Sequence, residues 1–109
     1  MSDIQQITEA LIKFRDERDW AQFHNPKDLA LAISIESSEL LEEFLWKKSE
    51  DANAENIKDE LADVLTYSFL LAEKYGFDIK EIVFDKIKKN NEKYPIEKAK
   101  GTALKYNKL

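Results

Sequence analysis

A chain of 109 residues, 43% hydrophobic and 36% charged, falls within the size of one domain, and its composition does not shift midway. The absence of cysteine excludes a disulfide framework and thiolate chemistry, and the apolar runs are far shorter than the roughly 20 residues that span a bilayer. A formal net charge of −5 argues against a nucleic-acid polymer as partner, while leaving room for one nucleotide that arrives with its own divalent cation.

With only two glycines and two prolines, and with Leu, Ala, Glu and Lys abundant, the chain is expected to be all-α. Its start has neither a basic nor an apolar leader segment, so a cytoplasmic protein without membrane association is expected. Ile4, Ile7, Leu11 and Phe14 recur at helical spacing and predict a first helix from about Asp3 to Arg18. Asp19 to Asn25 is an aperiodic, aromatic loop with Trp20, Phe23 and His24. Asn25-Pro26 reads as a helix start, an N-cap followed by a proline at the first helical position. The second helix should run to about Lys48, and Ser49 to Asn53 should connect it to a third from about Ala54 to Tyr75. Gly76 is placed to end that helix in the left-handed conformation, and Asp78-Ile79-Lys80-Glu81 looks like a capping box opening a fourth, which stops near Tyr94-Pro95. Ile96 to Leu109 is expected to be a loose tail or an arm laid on a neighbouring subunit. The reading is therefore a single domain, 1–109, with its core over about 20–95.

The acids of the second helix fall in unusual places. On a wheel of about 100° per residue with Leu29 at zero, Leu40, Ile33 and Phe44 lie at roughly 20° to 60°, while Glu36, Glu43 and Glu39 lie at roughly 340°, 320° and 280°. Leu31, Leu41 and Leu45 occupy the other side, so this helix is expected to be buried on more than one side. In the third helix, with Ile57 at zero, Glu60 falls near 300° between Tyr67 and Leu71, and Asp63 near 240°. Each of two helices thus turns an acid pair toward the core.

Burying an unpaired carboxylate costs several kcal/mol. Two such pairs need a partner of high positive charge or must take up protons, and basic residues are scarce on these faces. Magnesium, with manganese as a substitute, fits because it takes oxygen ligands and keeps positions open for water and phosphate. Residues three apart lie side by side on a helix, so Glu36 with Glu39, and Glu60 with Asp63, can each present two oxygens. Acids on amphipathic helices are ordinarily a solvated flank, and Glu42, Glu50, Asp51 and Glu55 are assigned to it. Glu36 and Glu60 differ in being bracketed by apolar neighbours. A carboxylate di-iron bundle needs a Glu-x-x-His pair on two helices, and the only histidine, His24, precedes the second helix.

These residues resemble the MazG-like all-α nucleoside triphosphate pyrophosphohydrolases, and within them the dCTP pyrophosphatase type. Three ordered blocks carry the likeness: Glu36-Ser37-Ser38-Glu39 running on to Trp46, Glu60-Leu61-Ala62-Asp63 running on to Tyr67, and Lys86 to Pro95. The Trp20 to Pro26 loop resembles the dCTP type's entry to the second helix. Ser38 stands where the family often has glycine. The resemblance implies a four-helix bundle assembled as a homo-oligomer, a dimer or tetramer, that hydrolyses a nucleoside triphosphate between the α and β phosphates. It implies that Glu36, Glu39, Glu60 and Asp63 hold magnesium, and that Lys86 and Asn90 contact the phosphates or sugar. His24, Trp46 and Tyr94 would line the nucleoside end, and Glu39, with Glu36 beside it, would orient or deprotonate the attacking water. The competing reading is a non-enzymatic helical module whose buried acids meet basic residues of a partner.

Overall fold

The computed structural model describes residues 1–109, all in helices, turns and connections with no strand. The helices are α1 (Asp3–Glu17), α2 (Pro26–Glu42), α3 (Ala54–Tyr75), α4 (Ile79–Lys93) and a single turn, α5 (Ile96–Ala99). Short 3₁₀ turns lie at Ala21–Phe23, Ser49–Asp51 and Tyr106–Lys108. None of the helices is long and apolar enough to cross a membrane. The chain forms two compact units, Met1–Gly76 and Phe77–Leu109.

Caps set most of the boundaries. Asn25 accepts from the Asp28 N–H at 2.9 Å with Pro26 at the first helical position, and Asn53 accepts from the N–H groups of Glu55 and Asn56. Gly76 ends α3 at φ 67°, a left-handed conformation that costs glycine nothing sterically. Asp78 accepts from the Glu81 N–H at 2.9 Å, the forward half of the expected box. A complete box, with Ser2 and Gln5 bonding reciprocally, opens α1.

The second helix stops earlier than its periodicity suggests. After Glu42 the N–H groups of Glu43, Phe44 and Leu45 bond three residues back rather than four, and Trp46 closes the turn at φ 61°. Leu41 to Trp46 are ordinary helix formers without a glycine, so propensity carries no stop signal here.

In the first unit α2 lies along α3, and α1 meets α3 more lightly. Leu29, Leu70 and Ala72 are the buried apolar residues. Arg15 is buried too, its Nη1 on Glu73 Oε2 at 3.0 Å and its Nε on Asp16 Oδ1 at 2.9 Å, which ties α1 to α3. The expectation that α2 is covered on more than one side does not hold within the chain: Leu31, Ile35, Leu41 and Leu45 stay exposed because no element of this unit reaches them.

In the second unit every residue from Lys80 to Lys93 is exposed, including the apolar Ile82, Val83, Phe84 and Ile87. The segment after Pro95 has turns of its own. It makes the α5 turn, reverses at Gly101 and brings Tyr106 against Tyr94.

Candidate metal centre

Glu36 on α2 and Glu60 and Asp63 on α3 each offer a carboxylate oxygen, and the three atoms lie within 4.8 Å of one another. Glu36 and Glu60 are half-buried and Asp63 is exposed. Three of the four acids expected from the sequence thus converge on one point. The fourth, Glu39, leans on the same group: contact with its carboxyl is the largest influence on Glu36, ahead of burial and of the charges of Asp63 and Glu60, and together they push Glu36 up to about 7 from an ordinary 4.5. Glu60 is also raised, first by desolvation, then by Glu39, Asp63 and Glu43.

These carboxylates lack partners. Oε2 of Glu36 and Oε2 of Glu60 are buried with no hydrogen bond. No lysine or arginine neutralises them, since the ion pairs of the chain join Arg15 to Asp16 and Glu73, and Lys58 to Glu55. Ser38 Oγ donates to the Ser34 carbonyl at 3.0 Å, so this hydroxyl between the acids serves its own helix. A crowded set of hard oxygen donors with two buried oxygens unmatched fits a divalent cation such as magnesium, which would replace mutual repulsion with ligation.

Two further residues belong to the site. Tyr67, one turn beyond Asp63, has its phenol pKa raised by burial and then by the charges of Glu36, Asp63 and Glu39. Glu43 bears on Glu60. The wheel already had both on this side, Tyr67 next to Glu60 and Glu43 between Glu36 and Glu39, but no motif assigned them a role. Through Tyr67 the site reaches His24, whose ring stands edge-on to it with centroids 6.2 Å apart. His24 Nδ1 is buried without a partner, and burial, then Arg15 and Lys74, hold the imidazole below its ordinary pKa. A neutral imidazole with an unused nitrogen suits a neutral hydrogen-bonding ligand.

Trp46 is 99% exposed and contacts none of these groups. In the second unit Lys86 and Asn90 lie exposed on α4, and Tyr94 is half-buried as the residue that ends it, its N–H bonded to the Asn90 carbonyl at 2.8 Å.

An all-helical chain with carboxylates three apart on each of two packed helices has a donor set that could hold a metal ion. Residues 31–109 match the MazG-like family, a span that includes both acid pairs and the Lys86–Tyr94 segment, and the chain belongs to that family. It is 36% identical over 105 residues to dCTP pyrophosphatase 1 of Mus musculus and 35% identical over 105 residues to that of Homo sapiens. Each alignment takes in 89% of this chain, which spans 62% of the length of those relatives. The crystal structure of a pyrophosphatase from Archaeoglobus fulgidus superposes with a TM-score of 0.81 at 37% identity, covering 87% of this chain and 94% of that one.

Proposed function

We propose that the protein is a magnesium-dependent nucleoside triphosphate pyrophosphohydrolase, acting between the α and β phosphates of dCTP or a related deoxynucleotide to release the monophosphate and pyrophosphate. The observation that carries this reading is the convergence of Glu36, Glu60 and Asp63 with two buried oxygens unmatched. The relatives called dCTP pyrophosphatase supply the substrate class.

Glu36, Glu39, Glu60 and Asp63 would hold the ion. Bound there, magnesium supplies the charge that neutralises the polyphosphate and acidifies water. Glu39, which bears on both Glu36 and Glu60, would orient the attacking water or take its proton. Glu36 would hold the ion as the deprotonated carboxylate. His24 and Tyr67 lie on the nucleoside side of the acids, where His24 Nδ1 can accept from or donate to a base edge. Trp46 supplies a stacking face, Lys86 and Asn90 meet the phosphates or sugar, and Tyr94 the nucleoside; for these four the support is the family resemblance.

The same reading takes the two units as one functional domain, a four-helix bundle completed in a cytoplasmic homo-oligomer, dimer or tetramer. The exposed Leu31, Ile35 and Leu41 on α2, with Leu45 in the turn just after it, support assembly, as does the exposed apolar row of α4. Leu41→Lys should lower the mass measured by light scattering, and a wild-type chain that is already monomeric at micromolar concentration would refute assembly.

The decisive experiment is pyrophosphate release measured across the eight common nucleoside triphosphates, beside thermal melts in magnesium and in EDTA. Hydrolysis fastest on dCTP together with a magnesium-dependent rise in melting temperature is expected. Equal melting temperatures and no hydrolysis would leave the interaction module as the better reading.

A further inference from the structure

We propose that Tyr106, far along the chain from the acids, is a positioning residue for Tyr94, so that the C-terminal segment sets the affinity for the nucleoside. The proposal rests on the reading that Tyr94 meets the nucleoside.

The backbone of Tyr94 is well held. It ends α4 at φ −123°, ψ 69°, its N–H bonds the Asn90 carbonyl at 2.8 Å, and Pro95 follows. These bonds hold the backbone and not the ring itself. Tyr106 stands against the ring, with centroids 6.1 Å apart and planes at 85°, the edge-to-face arrangement that aromatic quadrupoles favour. Lys93 Nζ lies 4.9 Å from the centroid of the Tyr106 ring, so both residues at the end of α4 meet Tyr106.

The intervening chain is built to deliver that ring. The N–H groups of Lys98 and Ala99 bond the Pro95 carbonyl at 3.0 and 2.9 Å, Gly101 turns at φ 79°, and Thr102 bonds back to the Ala99 carbonyl. Thr102 Oγ1 accepts from the Leu104 N–H at 3.2 Å, and Lys108 closes a 3₁₀ turn on the Lys105 carbonyl at 2.8 Å. The segment therefore forms a closed loop from Tyr94 back to Tyr94. Tyr106 is 45% exposed, so its removal opens no core. What it removes is the restraint on the Tyr94 ring, whose ordering must then be met on binding.

The test is a steady-state comparison on dCTP, or on the triphosphate hydrolysed fastest, of Tyr94→Ala, Tyr106→Ala, Tyr106→Phe and the Tyr94→Ala/Tyr106→Ala double variant. Tyr106→Ala should raise KM about threefold to tenfold, the range an aromatic pair supports, with kcat nearly unchanged. Tyr106→Phe, which keeps the ring, should restore KM, and in the Tyr94→Ala background the loss of Tyr106 should add nothing. If Tyr106→Ala does not fold, Tyr106→Leu, which keeps bulk without a ring, takes its place. A raised KM in Tyr94→Ala with a wild-type KM in Tyr106→Ala overturns the positioning role alone. So does a Tyr106 effect that persists undiminished without Tyr94. A wild-type KM in Tyr94→Ala overturns the assignment of Tyr94 and the positioning role with it.

Discussion

The α2–α3 pair and α4 both carry charge beside apolar residues, yet they use it in opposite ways. On α2 and α3 the carboxylates are crowded among half-buried neighbours, two of their oxygens have no partner, and the Glu36 carboxyl is pushed up to about 7. On α4 every charged side chain is in water, and the apolar residues between them are exposed as well. Acidic residues outnumber basic ones in 1–76, and the order reverses in 77–109. Charge held near apolar side chains stores repulsion that only a cation or a proton relieves. Charge on a solvated helix stores almost nothing and becomes informative only when a ligand or a partner meets it.

That contrast is broken most directly by neutralising one acid of the cluster. Glu60→Gln or Asp63→Asn should reduce pyrophosphate release at least about a hundredfold, the upper end of the loss seen when a group merely supporting a metal ligand is removed. The same variants should lose the magnesium-dependent rise in melting temperature, and if either keeps both activity and the rise, the cluster is not the metal site.

On the other side of the comparison, Lys86→Ala and Asn90→Ala should weaken substrate binding without touching stability. A hydrogen bond to a charged group contributes about 1.5–3 kcal/mol, or roughly tenfold or more in KM, whereas an exposed substitution changes folding by no more than about 0.5 kcal/mol. Steady-state kinetics beside a denaturant titration reads both. Unchanged KM in both variants would remove α4 from substrate binding.

The pH dependence of the metal-free protein sharpens the account of the acids. Glu36 has a folded pKa of about 7 against an ordinary 4.5, so between those values the native state holds a proton that the unfolded chain has lost. Stability of the metal-free protein should therefore fall as pH rises through this window. Under the proposed function magnesium would displace that proton, so its stabilising effect should grow over the same range. The lowered His24 acts in the opposite direction over part of this range, so melts at several pH values in EDTA and in magnesium are run on the wild type beside Glu36→Gln, and a metal-free pH dependence that is the same in both would contradict the crowding.

The smallest expected effect is that of Gly101→Ala. At φ 79° an L-residue is strained by roughly 1–2 kcal/mol, although an added Cβ would meet no atom within 4 Å. The strain should loosen the closed C-terminal loop, raising amide exchange in residues 102–109 while the melting temperature of the whole protein stays put. Unchanged exchange there would mean that the loop tolerates the strain.

Several features could be read from the sequence by itself because their physics is local. Asn25-Pro26 and Gly76 specify helix ends through backbone geometry alone, and both stand where expected. The i, i+3 spacing of Glu36 with Glu39, and of Glu60 with Asp63, puts each pair on one helix face whatever surrounds it. The convergence of Glu36, Glu60 and Asp63, the participation of Tyr67 and Glu43, and the edge-on approach of His24 were decided by how α2 lies along α3 and where the loop before α2 returns. No residue near Trp46 announces that α2 ends at Glu42, and nothing around Ile96–Leu109 announces that Tyr106 comes back to Tyr94. A helix's faces are set by the period of the chain, but which faces meet, and where a loop without caps comes to rest, depends on contacts between residues distant in sequence, and only the tertiary structure contains those.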